Sequence, residues 1–114
     1  MNILNHEAVK KLPPLYSQEH VDDPVISVRI YHPFSDWYWY PYEGDLKQGL
    51  FFGFVRGFEG ELGYFSVVEF KDVEDKTGVP FEVDSTFTPM KLSEVKRLPN
   101  RQMPDDGIVV IYLV

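Results

Sequence analysis

Trp37-Tyr38-Trp39-Tyr40-Pro41-Tyr42 is followed by Leu50-Phe51-Phe52-Gly53-Phe54-Val55-Arg56-Gly57-Phe58, and then by Leu62-Gly63-Tyr64-Phe65. Aromatic and β-branched residues favour the pleated backbone, and the Gly44–Gly49 stretch and Glu59-Gly60 between the blocks are turn formers. The reading is three antiparallel strands, 37–42, 50–58 and 62–65, joined by short connections. A side-chain period of two puts Trp37 and Trp39 on one face and Tyr38, Tyr40 and Tyr42 on the other. It also groups Phe52, Phe54 and Phe58, leaving Gly53 and Gly57 opposite, where a bulky neighbour or another backbone can approach. Pro41 lacks a ladder donor, which predicts that strand 37–42 lies at an edge or ends early.

Working outward, Val25 to Tyr31 alternates Ile26, Val28 and Ile30 with Ser27 and Arg29, the pattern of a half-buried strand. With residues 32–36 as a turn, it completes a four-stranded meander. On the N-terminal side, Asn5 is placed to cap a helix over 5–12. Leu4 and Val9 form its hydrophobic staple, and Pro13-Pro14 ends it. On the C-terminal side, Ser66 stands three residues before Glu69, the capping-box spacing, so a helix over 67–75 is predicted and stopped by Gly78-Val79-Pro80. Residues 81–89 read as extended or irregular, 91–98 as a helix halted by Pro99, and 108–113 as a buried last strand. The fold class is therefore α+β, in one domain over 1–114.

Composition narrows the chemistry. A 114-residue chain buries about 65% of its unfolded surface, enough for one core without staples. The absence of Cys excludes disulfide frameworks, thiolate catalysis, zinc ribbons and iron–sulfur clusters. Eleven Lys and Arg against 18 Asp and Glu leave a formal charge of -7, which disfavours nucleic acid and anionic membrane. Lys10-Lys11 and Lys96-Arg97, the only close basic pairs, fall at helix ends, where cations complement the dipole. The longest apolar run, Ile108 to Val114, is seven residues against the roughly 20 that span a bilayer. No basic and apolar leader begins the sequence, so a cytoplasmic location is expected.

Few constellations carry reaction chemistry. His6, His20 and His32 share no ligand spacing, and His6 and His32 read as surface residues, so neither a metal nor a cofactor is expected. Glu69-Phe70-Lys71 matches part of a metal-dependent nuclease signature, which needs both side chains on one strand face. The capping box instead places Glu69 on a helix, where residues two apart diverge by about 200°. Pro13-Pro14-Leu15-Tyr16 matches a ligand of WW domains, although two prolines also simply end a helix. No nucleophile elbow, P-loop or dinucleotide fingerprint is present.

Two surfaces remain. Thirteen of the 18 aromatic rings lie between Tyr31 and Phe65. One face of the ring-rich strand must build the core, and the other, either Trp37 and Trp39 or Tyr38, Tyr40 and Tyr42, is a candidate binding surface. Exposed Trp and Tyr anchor interfaces at low entropic cost. Paired acids in loops give a second candidate surface, Glu43, Asp45, Glu59 and Glu61.

The segments Leu12-Pro13-Pro14-Leu15-Tyr16-Ser17-Gln18-Glu19, Trp37-Tyr38-Trp39-Tyr40, Leu50-Phe51-Phe52-Gly53-Phe54-Val55, Gly63-Tyr64-Phe65-Ser66 and Leu92-Ser93-Glu94-Val95 occur in that order. Together they resemble the small bacterial proteins grouped as domain of unknown function 2958, often met on plasmids and other mobile elements. The resemblance spans residues 4–95 and carries no catalytic residue. It implies a bacterial cytoplasmic accessory protein.

The expected function is non-enzymatic binding of another protein through the aromatic or acidic surface. An acidic DNA-mimicking factor of a mobile element is its concrete form. The alternatives are a single-stranded nucleic-acid module stacking bases on Trp37 or Trp39, and a divalent-metal hydrolase using Glu69 and Lys71.

Overall fold

The computed structural model describes residues 3–100 and is α+β. The first described elements are a 3-10 turn, Ile3–Asn5, and a short helix α1, Glu7–Lys10. Its cap is His6 rather than Asn5. The 3-10 turn already ties the His6 amide to the Ile3 carbonyl at 3.1 Å, so the helix starts one residue later, with His6 Nδ1 accepting from the Ala8 amide. The helix is also shorter than the predicted span 5–12.

The main sheet has five antiparallel strands in the order β5-β4-β3-β2-β6. They are β2 (Ile30–Tyr31), β3 (Tyr38–Asp45), β4 (Leu50–Arg56), β5 (Gly60–Ser66) and β6 (Glu82–Val83). The meander expected from the ring-rich blocks is thus its consecutive centre, and β6 adds a strand beside β2. A separate two-stranded sheet pairs β1 (Val25–Ile26) with β7 (Met90–Lys91). The predicted strand over 25–31 is therefore two strands in two sheets. Ile26 joins one core, whereas Val28 and Ile30 join the other. Beside Ile30, Arg29 lies mostly buried on the opposite face, its guanidinium over the rings of Tyr38 and Phe87 and bonded to Asp84 at 2.6 Å.

Pro41 does not mark an edge: β3 is the central strand and runs on to Asp45. The ladder tolerates the proline in two ways. Strand β2 pairs with β3 only at Tyr38 and Trp39, and a bulge between Pro41 and Glu43 shifts the register with β4. Opposite Pro41 stands Gly53. A Cβ there would press into the Tyr40 carbonyl oxygen and reach within 2.6 Å of the Pro41 Cα, so only glycine admits this backbone approach.

Both faces are covered at the centre of the sheet. On one, Trp39, Phe51 and Phe65 pack with Ile3, Val9, Phe70 and Phe81. On the other, Tyr40, Tyr42 and Phe54 pack with Ile26, Leu92 and Val95. Helix α2, Val67–Thr77, supplies Phe70, stacked on Phe81 at 4.1 Å between ring centroids. Its boundaries follow the predicted chemistry. Ser66 caps the Glu69 amide, and Gly78, at φ 71°, accepts the left-handed conformation that ends the helix. Helix α3, Leu92–Val95, is a shorter piece of the expected 91–98, held by Asp23, which accepts from the amide and hydroxyl of Ser93. The strand expected over 108–113 lies outside the described residues. Among those described, no helix is long and apolar enough to cross a membrane.

Candidate functional site

Two-sided packing answers the question left by the ring-rich strand. Trp39, Tyr40 and Tyr42 are buried, so they form no surface. Trp39 meets Phe70 and Phe81 edge-on, each at 5.3 Å, and Tyr40 packs on Phe54 and Phe87. Tyr38 is half-buried under Arg29. Of the five aromatic candidates, Trp37 lines a groove, because it precedes β3 and overhangs the turn joining β4 to β5.

That turn is built by Gly57, Phe58 and Glu59, with the Gly57 amide donating to the Glu59 carbonyl at 3.0 Å. A Cβ on Gly57 would lie 2.8 Å from the Trp37 indole, so the ring rests directly on glycine backbone. Phe58 meets Trp37 edge-to-face at 5.3 Å and remains 80% exposed. It therefore does not continue the Phe52 and Phe54 face as alternation suggested. Strand β4 ends at Arg56, and the turn carries the Phe58 ring over to the Trp37 side. Trp37, Val55, Gly57, Phe58, Glu59 and Glu61 line a groove of about 270 Å³. Both glutamates are exposed, and no lining residue is basic. Arg56 is turned to the opposite face, over Phe54 and bonded to the Lys96 carbonyl. The groove thus has an aromatic floor and a negative rim.

The other two acidic candidates do different work. Glu43 is 3% exposed and lies beneath the N-terminal segment, accepting the Tyr16 and Gln18 amides at 2.8 Å each. It is an internal anchor rather than a surface acid. Asp45 organises the β3–β4 turn, accepting from the Lys47 and Gln48 amides and the Gln48 side chain. Hydrogen bonds from Gln48 hold its carboxyl below the ordinary value.

Several other acids are similarly engaged. Glu74 takes the Phe81 amide, Glu94 the Lys91 amide, and Asp72 and Asp75 pair with Lys76 and Lys71 along α2. Glu69 and Lys71 are both exposed on that helix, two positions apart, not on one strand face. Among the described residues no three His, Asp or Glu side chains gather for a metal.

His32, expected at the surface, is buried. Its Nδ1 accepts the Phe34 amide, which leaves Nε2 as the proton carrier toward the Val79 carbonyl at 2.9 Å. Its ring edge also packs on Phe81 at 4.9 Å between centroids. The segment Pro13–Tyr16 is not free polyproline-type chain. Tyr16 sits at φ 71°, and the Pro14 carbonyl accepts from Ser17 in a tight turn.

Phe58, Val55 and Gly57 were missing from the candidates read from sequence. The available signal was Gly57-Phe58-Glu59-Gly60 itself, a large apolar residue inside turn chemistry, where no strand face buries it. No protein-family model, curated protein or solved structure matches the chain.

Proposed function

We propose that the protein is a non-enzymatic binding module that receives a basic segment of another protein in the Trp37–Phe58 groove. The observation that carries this reading is the joining of an exposed Phe58 and a partly buried Trp37 to Glu59 and Glu61 in one concave surface. An aromatic floor attracts an Arg or Lys head through its ring faces, and flanking carboxylates accept the accompanying N–H groups. Aromatic anchors of this kind dominate protein interfaces.

The same rim disfavours the single-stranded nucleic-acid alternative, because phosphates would approach Glu59 and Glu61. The DNA-mimicking form is weakened by the number of carboxylates engaged within the fold. The hydrolase loses its motif to the helical placement of Glu69 and Lys71. The resemblance to domain of unknown function 2958 supports a role as a bacterial accessory protein of a mobile element, with the groove as its contact surface.

Affinity capture from a bacterial extract, run in parallel with the native chain and with Phe58→Ser and Glu59→Lys/Glu61→Lys variants, tests the reading. Proteins retained by the native chain and lost with both variants support it. Identical retention by all three removes the groove from the interface.

A further inference from the structure

Strand β5 is the outer strand of the main sheet, and among the described residues it pairs with β4 alone. Its free edge presents a row of backbone N–H and C=O groups, a template for another strand. Natural edges are blunted by shortness, proline or lysine. This one runs seven residues, Gly60–Ser66, with no proline or lysine and a single charge, Glu61, near its start. The sheet face beside it, opposite to the Trp37 groove, is apolar and open, with Leu62 47% exposed and Tyr64 52%. Tyr64 leans edge-on against Phe52 at 4.8 Å, and Tyr16, 58% exposed, adjoins it.

The same chain carries a segment of matching need. Ile108-Val109-Val110-Ile111-Tyr112-Leu113 is apolar on both strand faces, so it must be covered on both sides. Shortly before the tether, the chain passes one end of the open edge. The Lys96 carbonyl accepts from Arg56 at 2.6 Å, and Arg56 stands opposite Gly60, the first residue of β5. From Asn100, residues 101–107 let Ile108 lie up to about 28 Å away. Strand β5 is about 23 Å long. The Gly60 end of the edge is therefore within reach, and the segment can pair along β5 from there. A seven-residue tether also gives the segment an effective concentration on the order of millimolar at that edge, well above a second copy at micromolar protein.

We propose that Ile108–Leu113 docks on the free edge of β5 in the same chain, as a sixth strand that covers Leu62 and Tyr64. The reading is independent of the groove, which lies on the other face. The test is amide hydrogen exchange by NMR on the full chain, with cross-strand NOEs as a second readout. The β5 amides that point away from β4 should exchange at least about 100-fold slower than unstructured amides. Methyl groups of 108–113 should show NOEs to Leu62 or Tyr64. Tenfold dilution should leave both unchanged. Ile111→Pro, which deletes a ladder donor, should abolish the β5 protection while β4 amides, which report folding, stay protected.

Unprotected outer amides together with absent NOEs in the native chain would overturn the proposal. So would protection that survives Ile111→Pro, or protection that disappears on dilution, which would make the occupant a second copy. Should Ile111→Pro also expose β4, the native-chain NOEs and their dilution series decide alone.

Discussion

Glu43 offers the sharpest test of how the acidic residues are used. Its buried carboxylate accepts two backbone amides, Tyr16 and Gln18, at 2.8 Å, and so ties the segment after Pro13-Pro14 to the central strand. A hydrogen bond to an ionised group contributes about 1.5–3 kcal/mol. Tyr16 is 58% exposed, so its amide can rehydrate once released, and the lower bound applies to each bond. Glu43→Ala is then expected to cost about 3 kcal/mol, and Glu43→Gln, which keeps one acceptor, about 1.5–2 kcal/mol. With a urea slope of about 2 kcal/mol per molar, the midpoint should fall by about 1.5 M and about 0.9 M respectively. Glu59→Ala, at an exposed position of the same charge, should stay within about 0.5 kcal/mol of the native chain. Amide exchange at Tyr16 and Gln18 should accelerate in both Glu43 variants and not in Glu59→Ala. A midpoint for Glu43→Ala indistinguishable from that of Glu59→Ala would refute the anchoring argument, because an exposed acid behaves that way.

Three further outcomes follow from the geometry. Gly53→Ala drives a methyl into the backbone at Tyr40 and Pro41, which cannot move without breaking the central ladder, so a loss of at least about 3 kcal/mol in urea unfolding is expected. An effect under 1 kcal/mol (about half a molar in midpoint) would contradict the close approach. Ser66→Ala and Gly78→Ala each remove one end device of α2 and should each cost about 1 kcal/mol, Gly78 through its positive φ alone because open space surrounds it; equal midpoints for native and variant chains would contradict the capping roles. Burial opposes ionisation of Asp84, but the Thr86 hydroxyl and amide and the Arg29 guanidinium together outweigh it, and the carboxyl titrates below its ordinary value of 3.8. A depressed folded value adds stability that is complete above 3.8 and is lost as pH falls through the lower value. The midpoint gap between the native chain and Asp84→Asn should therefore be wider at about pH 6 than at about pH 2.5, and a gap independent of pH would contradict it.

The centre of the fold was legible because its signals are local. Ring-rich blocks separated by glycine turns specify an antiparallel meander, and Ser66 and Gly78 mark the ends of α2 through their own side chain or backbone. What was not legible depends on partners distant in sequence. Nothing in residues 25–31 says that Val25–Ile26 will pair with Met90–Lys91 while Ile30–Tyr31 pairs with both β3 and β6. Pro41 was misread as an edge marker for the same reason: its tolerance comes from Gly53 opposite and from a β2 ladder that stops at Trp39.

The candidate site divides along this line. Trp37 was found through the ring-rich block, and Glu59 and Glu61 as paired acids at a turn, although Glu61 belongs to β5. Trp39, Tyr40, Tyr42 and Glu43 were assigned to surfaces because alternation says which residues share a face, not what covers it. Phe58 was assigned to a strand face that its own turn takes it away from.

Most of the aromatic excess is thus spent inside, and the functional account rests on the pair Trp37 and Phe58. The most direct test follows indole emission of the native chain and of Trp37→Phe while titrating short capped peptides rich in arginine, or in glutamate, at low salt. The account predicts saturable quenching by the arginine peptide, absent from Trp37→Phe, weakened by Glu59→Gln/Glu61→Gln and by added salt, with no response to the glutamate peptide. Equal responses to both peptides, or a response unchanged in Trp37→Phe, would contradict it.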